Sequence, residues 1–126
     1  MPKNSEIGMP MPTASHESES SLLRNCRRIL DTAQVVYRRI HIAGMRYSGG
    51  SRGRNPDMEG MFDLMLFFPK GVTVHAELKR QNGGKLSQKQ IEWQSTLEKL
   101  GHQAVIIDSI DDLIEVLKQN GVFVTV

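Results

Sequence analysis

From Glu17 onward, Leu22, Leu23, Cys26, Ile29, Leu30 and Ala33 recur at the spacing of one helical face, so the first periodic segment predicts an amphipathic helix. Cys26 lies in that stripe and reads as a small buried hydrophobe rather than a reactive thiol. The period then changes. Val35-Val36-Tyr37-Arg38-Arg39-Ile40-His41-Ile42 is rich in β-branched and aromatic residues and predicts a strand. Residues 62–68 and 72–79 predict two more, joined by Pro69-Lys70-Gly71. Proline suits the first position of a type I turn and glycine the left-handed position after it, which makes this a three-residue hairpin loop. Beyond Asn82-Gly83-Gly84, Ser87 opens a second helix carrying Ile91, Trp93 and Leu97 and ending at Gly101. Residues 104–107 are a short buried strand. Ser109 and Asp112 open a last helix with Ile110, Leu113, Ile114, Val116 and Leu117, closed by Gly121, and residues 122–126 are a candidate edge strand. The order αβββαβα, with a hairpin at its centre and a helix-linked strand beside it, predicts an α/β fold: a mixed sheet flanked by helices.

Composition narrows the class. With 126 residues, 39% hydrophobic and 24% charged, the chain can bury one core. One domain over residues 17–126 is expected, preceded by a disordered tail over 1–16 that holds Pro2, Pro10 and Pro12 and lacks the charged-then-apolar pattern of a signal peptide. No apolar run approaches the roughly 20 residues that span a bilayer, so no membrane role is expected. One cysteine allows no internal disulfide, and no Cys/His cluster has zinc-finger spacing, which fits a reducing, cytoplasm-like compartment. A net charge of +2 is too small to diagnose a nucleic-acid binder, but its distribution is uneven. Arg38, Arg39, Arg46, Arg52 and Arg54 fall in a stretch with no acid, and Gly49, Gly50 and Gly53 give its backbone freedom. Such a segment can follow a phosphate backbone; the alternative is an ordinary solvated loop.

Chemistry gathers on the hairpin. If Phe68 pairs with Val72 across the three-residue loop, Asp63 falls opposite Glu77, and like charges so placed repel unless something compensates. A divalent cation is the natural compensator, because Mg²⁺ typically accepts one or two carboxylates and keeps positions for water and a phosphate oxygen. Lys79 lies two residues beyond Glu77 and projects to the same face. Taken singly, each of these residues is ordinary on a solvated strand. Together they are less so, since Asp63 interrupts an apolar run while Ala76 and Leu78 make the other face of the partner strand apolar. Glu19 stands three and four residues before Leu22 and Leu23, on the helix's apolar face, and reads either as a third carboxylate of the site or as a first-turn acid favoured by the helix dipole. Glu17 points away from that face. His75 shares the face of Glu77 and is taken as a neighbour, not a ligand.

These residues resemble a known family, the VRR-NUC branch of the PD-(D/E)XK nucleases, over about residues 19–118. The resemblance rests on Gly60-Met61-Phe62-Asp63-Leu64, on Glu77-Leu78-Lys79 and on Gly83-Gly84-Lys85-Leu86-Ser87-Gln88-Lys89-Gln90-Ile91-Glu92-Trp93, followed by Gly101-His102 before a strand. It implies a restriction-endonuclease-like fold, with Asp63 and Glu77 binding the metal, Lys79 as the catalytic lysine, Gln90 assisting from its helix and Glu19 completing the metal environment. Ser87-x-x-Gln90 is also a capping box that needs no catalysis to explain it. The sequence departs from the family pattern at Phe62, where a proline usually precedes the aspartate. A literal Pro56-Asp57 lies upstream, but it follows a Gly/Arg loop with no apolar strand behind it, so Asp63 is preferred.

The function so implied is a Mg²⁺- or Mn²⁺-dependent DNA endonuclease that hydrolyses backbone phosphodiesters. Small stand-alone members of the family resemble structure-selective enzymes acting on Holliday junctions or other branched DNA as homodimers, in a bacterial or phage-infected cytoplasm. No organic cofactor is expected. The alternative is a catalytically silent DNA-binding accessory subunit of the same fold, against which the joint presence of Asp63, Glu77 and Lys79 argues.

Overall fold

A computed structural model of the chain describes residues 18–40, 58–80 and 84–125. The expectations for the tail, for His41 and Ile42, for Arg46, Arg52 and Arg54, and for Asp57 and Gly83 lie outside the described residues. Helices and strands follow one another in the predicted order: α1 (Glu19–Thr32), β1 (Val36–Arg39), β2 (Leu64–Phe68), β3 (Val72–Leu78), α2 (Gln88–Lys99), β4 (Gln103–Ile107) and α3 (Ile110–Gln119). The strands form a mixed sheet in the order β1-β2-β3-β4, antiparallel except for the β3/β4 pair, which is parallel. A parallel neighbour requires a crossover, and α2 supplies it.

Strand alternation sorts the sheet into two faces. Leu64, Leu66, Phe68, Val74, Ala76, Leu78 and Ile107 meet Leu22, Cys26, Ile29 and Leu30 of α1 and Leu113, Val116 and Leu117 of α3 in the main core. On the other face, Phe62, Leu97 and Ala104 form a smaller cluster with Trp93 and Ile106 against it. Each helix begins on a serine whose hydroxyl accepts a backbone N–H three residues on: Ser18 from Ser21, Ser87 from Gln90 and Ser109 from Asp112. The helix ends are alike too, with a backbone N–H just past each helix donating to the carbonyl five residues back: Val35 to Leu30, His102 to Leu97 and Val122 to Leu117.

Two expectations are corrected. Residues 122–125 form no strand. After the α3 cap, Val122 and Val124 turn inward against the main core while Phe123 is 77% exposed, so alternation there serves packing rather than pairing. The hairpin loop is three residues, as its length requires, but the left-handed conformation is held by Lys70 (φ 68°) as well as by Gly71 (φ 76°). A simple type I turn ahead of the glycine is therefore not what closes it.

Gly60 fixes the approach of α2 to the hairpin. It has φ +82°, and a side-chain carbon there would lie 2.5 Å from the Lys89 carbonyl oxygen, a backbone atom in the first turn of α2. Gly71 has a similar φ but nothing within 4 Å of the same position. Gly60→Ala is therefore expected to destabilise the protein by about 1–3 kcal/mol, and by more than Gly71→Ala, in urea unfolding monitored by circular dichroism. Equal destabilisation by the two would mean that the close approach of α2 carries no weight.

Candidate active site

The predicted hairpin register is the observed one: Phe68 pairs with Val72 and Leu64 with Ala76. One step further, Asp63 and Glu77 face each other and are tied by exchanged hydrogen bonds. The Asp63 N–H donates to Glu77 Oε1 at 3.0 Å, and the Leu78 N–H donates to Asp63 Oδ2 at 3.2 Å. The remaining backbone groups nearby are also held. Ile40 N–H donates to the Asp63 carbonyl at 2.6 Å, and Lys79 N–H to the Ile107 carbonyl at 3.0 Å, so the chain leaving β1 and the end of β4 both brace the centre. Phe62, where the pattern that the sequence resembles has a proline, is 2% exposed within the smaller core. Its burial anchors the chain just before Asp63, which is what a stiff proline would otherwise do.

Among the described residues, Glu77 is the one charged side chain that is buried, at 3% exposure. Lys79 Nζ stands 3.2 Å from Glu77 Oε2. Burial, and then the Asp63 charge, push the Glu77 carboxyl above its ordinary pKa, while hydrogen bonds from Gln90 and Lys79 oppose the shift. Burial also raises Asp63, opposed by the Leu78 N–H and reinforced by the charge of Glu19. Gln90 forms the capping box read for it and stands beside Glu77. Its Oε1 accepts the Ser87 N–H at 3.0 Å in a complete capping box.

Glu19 occupies the first turn of α1 and also faces the Asp63 cleft. It is the first residue of α1, after the Ser18 cap, and it lines a cleft of about 300 Å³ together with Leu23, Arg39, Asp63 and Leu78. It stands near enough to Asp63 to repel its charge, yet among the described residues no three His, Cys, Asp or Glu side chains converge as a metal cage. The carboxylates that meet are two. Two suffice for a hard cation that keeps several waters, and the donor set is all oxygen. Each carboxylate offers about four lone-pair sites, so the bonds that orient Asp63 and Glu77 leave capacity for a cation. The residues present fit such an ion.

Arg38 and Arg39, expected from the sequence to bind DNA, lie exposed on β1, and of the two Arg39 reaches the Asp63 cleft. His75 packs edge-on against His102, with ring centres 5.8 Å apart, and burial and that neighbour both lower its pKa. Sequence reasoning missed three cations. Arg80 and Lys85 share a second cleft with Glu19, Lys79 and Gly84, and Arg27 lines a third with Tyr37 and Arg39. Arg27 was findable, since it lies two helical repeats of four from Glu19.

In the metal-free protein the folded state binds protons more readily than the unfolded chain, because both carboxyl pKa values are raised. The pair thus lowers stability at neutral pH, and this penalty fades as pH falls through the raised values toward the ordinary carboxylate range. Glu77→Gln keeps an oxygen acceptor for the Asp63 N–H. In the presence of a chelator it is expected to melt above wild type at neutral pH, with the gap closing on acidification. Comparing the two proteins cancels the opposite trend from His75. A gap that stays constant with pH would show that the carboxylate charge is not what separates them.

No family model and no curated protein matches the chain by sequence. A solved structure described as a VRR_NUC domain is similar to it, with a TM-score of 0.56 and 19% identity over 82% of this chain and 96% of that one. The fold of this chain is therefore that of a VRR_NUC domain, a restriction-endonuclease-like mixed sheet flanked by helices.

Proposed function

We propose that the chain is a metal-dependent DNA endonuclease that hydrolyses backbone phosphodiesters. The observation that supports this reading is the union of Asp63, Glu77 and Lys79 in one bonded cluster, with Glu77 buried, on a fold shared with a VRR_NUC domain. A buried carboxylate facing a second one is a costly arrangement for a protein that only holds DNA. Asp63 and Glu77 would hold Mg²⁺ or Mn²⁺, with Glu19 facing the same space from α1. Bound there, the cation would polarise a phosphate oxygen and make an attacking water more acidic. Lys79 would orient that water and offset negative charge on the phosphate. Gln90 keeps the Glu77 carboxylate in place. Arg38 and Arg39, with Arg46, Arg52 and Arg54 of the basic stretch, would hold the DNA backbone.

The finer reading is a structure-selective enzyme for Holliday junctions or other branched DNA, working in a bacterial or phage-infected cytoplasm. One chain carries one carboxylate pair, whereas resolving a junction takes paired cuts in two strands, so a twofold homodimer would serve it. Among the described residues no helix is long and apolar enough to cross a membrane.

Cleavage of branched and linear DNAs, each with and without Mg²⁺, is the test. Wild type is expected to cut only with the metal. Asp63→Asn and Glu77→Ala should abolish cutting while the far-ultraviolet spectrum persists, and Lys79→Ala should lower turnover by about 100-fold or more with little change in metal affinity. DNA bound but never cut under any metal would establish the silent-subunit alternative. A second expectation concerns salt: neutralising Arg46, Arg52 and Arg54 together should flatten the fall of affinity with salt, by about 0.9 in logarithmic slope for each duplex phosphate these arginines neutralise. An unchanged slope would place the DNA elsewhere.

A further inference from the structure

One stripe of α1 runs past the whole site. Glu19, Leu23, Arg27 and Asp31 are spaced four residues apart on one side of the helix, a distance of about 18 Å end to end. Three clefts open along this stripe, and they share walls. The first is lined by Glu19 with Lys79, Arg80, Gly84 and Lys85; the second by Glu19 with Asp63 and Arg39; the third by Arg39 with Arg27, Asp31 and Tyr37. Glu19 lines both the first and the second and Arg39 both the second and the third, so neighbouring clefts share a side chain. The order of charge along it is cation, carboxylate, cation.

We propose that these clefts form one track for a single strand of DNA, with Arg80 and Lys85 holding phosphates on one side of the carboxylate pair and Arg27 and Arg39 on the other. The inference rests on the nuclease reading and names how its substrate lies. A polyanion crossing two carboxylates is repelled there until a cation is bound, and flanking cations supply a hold on either side. Gly84 sits close against Arg80. A side-chain carbon on Gly84 would lie 2.6 Å from the Arg80 carbonyl oxygen, so the bare glycine is what lets Arg80 and Lys85 flank one cleft. At the other end, Tyr37 lines the third cleft with Asp31, Arg27 and Arg39 and supplies an aromatic wall there. Aromatic walls stack the bases of single strands. A single seam between one helix and the sheet also offers one row of cations, whereas a duplex presents two rows of phosphates.

The test is fluorescence anisotropy of a short labelled single strand over a salt series, using the full chain with Ca²⁺ in place of Mg²⁺, alongside cleavage in Mg²⁺. Arg27, Arg28, Arg80 and Lys85 are all exposed, so their replacement spares the core. Arg27→Ala is expected to reduce the logarithmic salt slope by about 0.7, and the Arg80→Ala/Lys85→Ala double variant by about 1.4. Arg28→Ala removes the same charge from the same helix and should leave the slope at its wild-type value. If wild type binds and cuts DNA but Arg27→Ala or the double variant keeps the wild-type slope, the track is wrong and the nuclease reading survives. Tighter binding of the matching duplex through these same residues also overturns it. A wild type that neither binds nor cuts any DNA overturns the nuclease reading and the track together.

Discussion

Two carboxylates that repel each other are locked together by the hairpin that carries them. Each is oriented by a backbone N–H on the opposite strand segment, Asp63 by Leu78 and Glu77 by Asp63 itself. Neither can turn away without leaving an N–H unbonded, which carries a cost of its own. The rest of the structure serves this lock: Phe62 and Gly60 set the chain leading into Asp63, β4 fixes the backbone of Lys79, and Gln90 and Lys79 bring donors to the buried Glu77. The arrangement is pre-organised for positive charge.

Much of this was legible in local patterns. Proline, lysine and glycine between two apolar runs fix loop length, loop length fixes register, and register alone places Asp63 opposite Glu77. The Ser-x-x-Gln signature marked the start of α2 to the residue, and the alternation of Ala76 and Leu78 against Glu77 marked the two faces of β3. Tertiary facts were harder to read. The alternation of Val122 and Val124 suits a strand or a coil lying on a core equally well, and only the nearness of α1 and α3 decides between them. That Lys70 adopts a left-handed conformation has no compositional signal. Arg80 and Lys85 sit near glycines in the sequence, but a cation near a glycine is ordinary until the fold sets Gly84 against Arg80 and Lys79.

Single residues here occupy positions that face more than one neighbour. Gln90 caps α2 with its oxygen and also stands beside Glu77. Glu19 sits at the positive end of the α1 dipole and also faces Asp63, so the helix terminus that favours its charge aims that charge at the site. In a domain of this size, structural and chemical roles share positions because there are few positions to divide among them.

If Asp63 and Glu77 are held together for a divalent cation, the pair should bind one without DNA and without turnover. Calorimetric titration of the chelator-treated protein with Ca²⁺, which takes the same oxygen ligands, measures this directly. Saturable binding to wild type is expected, accompanied by a rise in melting temperature, with both effects absent in Asp63→Asn. Binding of equal strength in wild type and Asp63→Asn, or no binding to wild type at all, would contradict a cation role for the pair.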